Sequence, residues 1–153
     1  WSIPAAQQLE FVNPVTLANY EILLANYALT VTQSIVTVNR KLRDAKEALK
    51  TAKHALEDFR YDLLRTAPPP ATATKSLALM EAYTRSAVVA AGSQDEYKAL
   101  RNAVNAAESA EERLDIEREN SHQVWDLIKL MGIHAQTHLS FVKSDLKQSG
   151  RYT

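Results

Sequence analysis

At 153 residues with a formal net charge of zero, the chain fits one domain with a moderate core, and its overall charge gives no pull toward nucleic acid or membranes. It has no cysteine and only three glycines. This excludes a disulfide framework, a thiolate zinc site and a cysteine nucleophile, and leaves little from which to build a phosphate-cradling or catalytic loop. The long stretches without Gly or Pro are rich in Ala and Leu, the composition of an all-α chain.

Residues 1–13 read as an irregular arm, because Trp1, Ile3, Leu9, Phe11 and Val12 keep no helical period. This stretch has no basic segment followed by an apolar core, so no secretory leader is expected. Asn13 followed by Pro14 is a helix start, with Asn13 as N-cap and proline at the first helical position. Nothing interrupts the helix from there to about Thr66, a length on the order of 75 Å at 1.5 Å per residue.

The apolar residues of this first helix recur in a heptad pattern. Leu17, Leu24, Val31, Val38, Ala45, Ala52 and Phe59 are seven apart. Tyr20, Tyr27, Ile35, Leu42, Leu49, Leu56 and Leu63 form the companion series, with one stutter at Val31–Ile35–Val38. So long a stripe predicts a coiled-coil seam that another helix must cover. The stretch Tyr20–Val38 carries one charge, Glu21. Asn26, Thr30, Thr32, Gln33, Ser34 and Thr37 make it amphipathic, so a packing helix is expected and a membrane span is not.

Pro68-Pro69-Pro70 and the residues around it, 67–74, read as a stiff, extended linker. A second helical stretch follows over about 75–91, with Leu77, Met80 and Ala87 on one side and Gly92 as a C-cap or kink. Ser93-Gln94-Asp95-Glu96 is a capping box that opens a third helix, running to about Gln148 before Gly150 and a short tail, 149–153. Leu100, Val104, Ala107 and Leu114 give this helix a weak stripe, and the charged segment Glu108–Asn120 supports little core. From Val124 the helix turns apolar on more than one face, through Trp125, Ile128, Ala135, Leu139, Phe141 and Val142, which predicts burial on two sides in a bundle centre or oligomer core.

The expected architecture is a long coiled-coil helix, a proline linker, then a short and a long helix over 75–148, together forming an elongated helical hairpin or bundle that oligomerises. Leu24, Val31, Ile35, Val38, Leu42, Leu49 and Leu56 of the first helix, with Trp125, Ile128 and Leu139 of the third, are the expected oligomer interface. The candidates for chemistry are few. His134 and His138 are four apart and would share a helical face, but no further ligands can be placed, so no metal is expected. Trp125 and Tyr83 are better read as core aromatics than as base-stacking platforms. No paired catalytic carboxylates or Ser/His/Asp arrangement appears; neither an enzyme nor a cofactor is expected.

The most informative polar feature is basic. Arg40, Lys41, Arg43, Lys46, Lys50 and Lys53, against Asp44 and Glu47, carry about +4 by direct count. Arg43, Lys46, Lys50, Lys53 and Arg60 form one stripe beside the seam, suited to tracking a phosphate backbone. Glu108, Glu111, Glu112, Asp115, Glu117 and Glu119, against Arg113 and Arg118, carry about −4. The two stretches could instead face each other and set register, as flanking charges do in coiled coils.

Over residues 40–146 the order of elements resembles phage recombination mediators of the UvsY type. Lys53-His54-Ala55-Leu56 and Arg60-Tyr61-Asp62 lie toward the end of the first helix, a polar break follows, and Trp125-Asp126-Leu127-Ile128 introduces an apolar last helix. The resemblance implies a ring-forming, phage-encoded protein of the host cytoplasm that binds single-stranded DNA through Lys46, Lys50, Lys53 and Arg60 and helps load a recombinase. The competing expectation is a virion, scaffold or adaptor subunit that makes only protein–protein contacts.

Overall fold

The computed structural model describes residues 14–148, and everything it describes is helix or helix connection. The arm 1–13, with the Asn13 cap, and the tail 149–153 lie outside the described residues, as do the side chains of Leu17 and Leu139. Helix α1 spans Pro14–Thr66, α2 Leu77–Ala91 and α3 Gln94–Gln148. The all-α fold with two long helices and a short one is therefore as read from the sequence.

Local chemistry accounts for the helix ends. The Ser76 hydroxyl accepts from the Leu79 N–H at 3.2 Å, which satisfies one of the unpaired donors in the first turn of α2. At the other end of α2, Gly92 adopts φ 68°, ψ 23°, and its N–H donates to the Val89 carbonyl while the Ser93 N–H donates to the Val88 carbonyl, both at 3.1 Å. That pair of bonds is a Schellman motif, and it needs a left-handed residue. A Cβ added at Gly92 would meet nothing within 4 Å, so Gly92→Ala should cost only backbone torsion. We expect about 1 kcal/mol, measurable as a Tm lowered by roughly 2–4 °C.

The stretch after α1 is not a free extended linker. Ala73–Lys75 closes a 3-10 turn, Ala73 is buried, and the Tyr83 hydroxyl of α2 donates to the carbonyls of Ala67 and Pro68, at 2.9 Å each. Prolines set the backbone direction, but a tyrosine at the seventh position of α2 supplies the hydrogen bonds that hold the turn.

The chain packs as two compact units, Trp1–Asn39 with Ile116–Thr153 and Arg40–Asp115, which cut across the helices. In the Arg40–Asp115 unit, Leu56 and Leu63 of α1, Ala87 and Val88 of α2, and Tyr97 and Val104 of α3 form a buried cluster. Each large apolar side chain buried there contributes about 1.5–3 kcal/mol. Phe59 stacks on Tyr97 with ring centroids 5.9 Å apart, and Lys53, six residues earlier, pairs with Glu108, eleven residues later, so α1 and α3 run antiparallel in this unit. In the other unit, α1 buries Tyr20, Leu24, Val31 and Val38, and α3 buries Ile128 and Ala135. Leu24, Ala25 and Ala28 line one groove with Trp125, Ile128 and Gly132.

This packing bears on two expectations. Leu24, Val31, Val38, Leu42, Leu56 and Ile128 are buried within the single chain, and Ile35, Leu49 and Trp125 are half-buried. Within each unit, the part of the seam that it holds is covered by the chain's own helices. Second, of the apolar segment after Val124, the described side chains buried in the single chain are Ile128 and Ala135, while the side chain of Val142, like that of Leu139, lies outside the described residues. Leu127, Leu130, Ile133 and Phe141 remain exposed. The charged stretch behaves as read, with no buried residue between Val104 and Ile128.

Candidate functional site

Once its core stripe is covered, α1 still carries a second apolar series. Val15, Ile22, Leu29 and Val36 recur every seven residues and are 68%, 61%, 59% and 53% exposed. Leu29 lies five residues after buried Leu24 and two before buried Val31. At 100° per residue that places it roughly opposite the core, the position that charged side chains ordinarily occupy on a packed helix. Asn19, Asn26 and Gln33 fill the intermediate positions and are also exposed, which completes an outer seam with 4-3 spacing and no formal charge. The pattern changes at the unit boundary. Continuing the same spacing past Val36 gives Arg40, Arg43, Glu47 and Lys50.

Helix α3 repeats the device within the same unit. Ile116, Leu127, Leu130 and Phe141 are half or more exposed, and Leu130 stands two residues after buried Ile128 and five before buried Ala135. Asn120, Gln123, His134 and Thr137 occupy the remaining positions of this 4-3 series, all exposed and none with a fixed charge. Within residues Ala18–Thr66 of α1, an 18-residue window is apolar enough by composition and length to cross a membrane, and only 17% of it is buried in the chain.

Among the described residues of this unit, Tyr20 Oη, Glu21 Oε1 and His138 Nε2 are buried without a hydrogen-bond partner. Burial pushes the Tyr20 hydroxyl above its ordinary pKa. The His134 and His138 rings stack 6.3 Å apart. Among the described residues no group of three or more His, Asp or Glu side chains is placed to hold a metal ion.

The basic stripe lies in the other unit and is divided. Arg43 is exposed, its Nε 4.0 Å from Asp44 Oδ1. Lys53 Nζ lies 3.3 Å from Glu108 Oε1, an ion pair between the basic and acidic stretches of the kind that sets register, although at half exposure it stabilises little. Arg60 turns toward α3, where its Nη2 donates to the Tyr97 hydroxyl at 3.4 Å and its guanidinium lies 5.9 Å from the ring centroid. Arg101 lies over the same ring at 5.8 Å. Lys46 and Lys50 are exposed and border an open groove of about 320 Å³ with Lys53, His54, Glu57 and Glu111. The five residues thus do not form one surface: Arg60 is a packing residue, Lys53 is paired, and Lys46 and Lys50 stay open to solvent.

Sequence reasoning missed the outer seam of α1 and the Tyr97 cluster. The seam was legible by the same seven-residue count that found the core series. The stronger Leu and Val series beside it drew the whole apolar signal. No family model, curated protein or solved structure matches the chain.

Proposed function

We propose that this chain is a non-enzymatic assembly protein that works as a homo-oligomer. The observation that carries this reading is the uncharged aliphatic seam left exposed on the outer face of α1, in the unit containing Trp1–Asn39. Four aliphatic side chains at the outermost heptad position cost solubility and contribute nothing to the chain's own core, and a contiguous exposed patch of this kind marks an interaction surface. Association stabilises the folded state by mass action. The thermal midpoint should therefore rise by several degrees between roughly 5 and 500 µM protein; a midpoint independent of concentration would contradict the reading.

Lys46 and Lys50 favour a second reading, in which the assembled protein also holds single-stranded nucleic acid in the manner of a recombination mediator. Both ammonium groups are open to solvent beside a groove, and assembly would multiply such weak contacts. The supporting result is oligonucleotide binding at about 50 mM salt that weakens steeply as salt rises and is lost in Lys46→Glu with Lys50→Glu, the mass of the assembly being unchanged. If wild-type protein ignores the oligonucleotide at that salt, the chain is a structural or adaptor subunit that makes only protein contacts.

A further inference from the structure

We propose that the Arg40–Asp115 unit carries a binding site for a free α-amino acid with a large apolar side chain, in the cavity between the end of α1 and the start of α2. Every residue that lines this cavity belongs to that one unit, so the site does not depend on assembly.

Helix periodicity builds the walls. Leu77, Met80, Glu81 and Thr84 stand at positions i, i+3, i+4 and i+7 of α2, and Arg60 and Leu64 at i and i+4 of α1. Each set therefore shares one helix face. With Tyr97 of α3 they surround a volume of about 450 Å³, a size that suits a small ligand. Leu64, Leu77 and Met80 make one wall apolar. Leu77 is 83% exposed, and an apolar group laid against it supplies the burial that α2 itself does not.

The polar groups of the cavity are mostly spent. The Thr74 hydroxyl donates to the Ala71 carbonyl and the Thr84 hydroxyl to the Met80 carbonyl, both at 2.8 Å. Ser76 caps α2, and the Tyr97 hydroxyl accepts from Arg60. Two charges are left over. Arg60 is half-buried, yet its fork of N–H donors makes one long bond, of 3.4 Å, and no carboxylate among the described residues pairs with it. A guanidinium drawn partly out of water without a counter-ion favours an incoming anion. Glu81 lines the same cavity and has no ion-pair partner among the described residues, Arg60 included. A cation and an anion that share a cavity without touching are complemented by one molecule that carries both charges. The ligand's carboxylate meets the Arg60 fork, its ammonium meets Glu81, and its side chain lies on the apolar wall.

An NMR titration of the full-length protein with L-phenylalanine tests the site. The expected dissociation constant is on the order of 1 mM, ordinary for a ligand of about twelve heavy atoms. L-phenylalaninamide lacks the carboxylate and N-acetyl-L-phenylalanine lacks the ammonium. Each should bind at least about tenfold more weakly, the loss of one charge-assisted hydrogen bond. Glu81→Gln, at an exposed position that the fold does not need, should weaken L-phenylalanine by a similar factor. Arg60→Met keeps the aliphatic stem and should do the same, with unchanged far-UV circular dichroism to show that it folds. Should Arg60→Met unfold, L-phenylalaninamide and Glu81→Gln still test both charges. Absence of binding at about 10 mM, ten times the expected constant, or equal binding of the amide and the acid overturns the site. If N-acetyl-L-phenylalanine binds as tightly as L-phenylalanine, the amino-acid assignment is wrong and the cavity fits a peptide C-terminus instead.

Discussion

Substituting aspartate for Val38 is expected to lower the protein's stability sharply, whereas the same substitution at Val36, two residues away, is expected to leave it nearly unchanged. Val38 is 3% exposed and Val36 53%, so the two sit on opposite faces of one helix. A carboxylate at Val38 would be buried without a partner, and the combined loss of apolar contacts and desolvation of a charge should cost about 4 kcal/mol or more. Against a typical total stability of 5–15 kcal/mol, that is a fall in Tm of roughly 8–16 °C. The contrast also tests whether the core seam is covered within one chain. If the core seam were an interface between copies, Val38→Asp would dissociate the assembly and spare the helical signal.

Truncating Tyr97 to alanine should cost nearly as much. The Tyr97 ring is buried among Leu56, Leu63, Val88 and Val104, stacks on Phe59, and receives the guanidiniums of Arg60 and Arg101 on its surface. Removing a buried aromatic usually costs 3–5 kcal/mol, and here it also strips Arg60 of its hydrogen-bond acceptor. Tyr97→Phe keeps the ring and loses only a long 3.4 Å bond, so about 1 kcal/mol or less is expected. Urea unfolding of the three proteins side by side measures both differences. A Tyr97→Ala loss below about 1.5 kcal/mol would mean that the cluster does not hold α1, α2 and α3 together.

Much of the fold could be read from residue spacing because helices announce themselves locally. The unbroken run after Pro14, the break at Pro68-Pro69-Pro70 and the stop at Gly92 each follow from backbone chemistry within a few residues, and all three fall where expected. Which surface covers which is a non-local property, and residue spacing does not decide it. The core series from Leu24 to Leu63 announces that a partner helix exists, but a heptad stripe looks the same whether the partner is α3 of the same chain or α1 of another. Arg60 shows the same limit for charge. On a helical projection it belongs with Lys46 and Lys50, and only the position of Tyr97, thirty-seven residues on, takes it out of that surface. The outer seam of α1 was visible in the sequence, yet its meaning depends on knowing that the opposite face is already buried.

That burial is what turns exposed Ile22 and Leu29 into evidence for assembly, and the mass of the full-length protein in solution tests it most directly. Sedimentation equilibrium from micromolar to millimolar concentration should return a mass above 17.1 kDa that grows with concentration. A constant 17.1 kDa across that range would contradict the account.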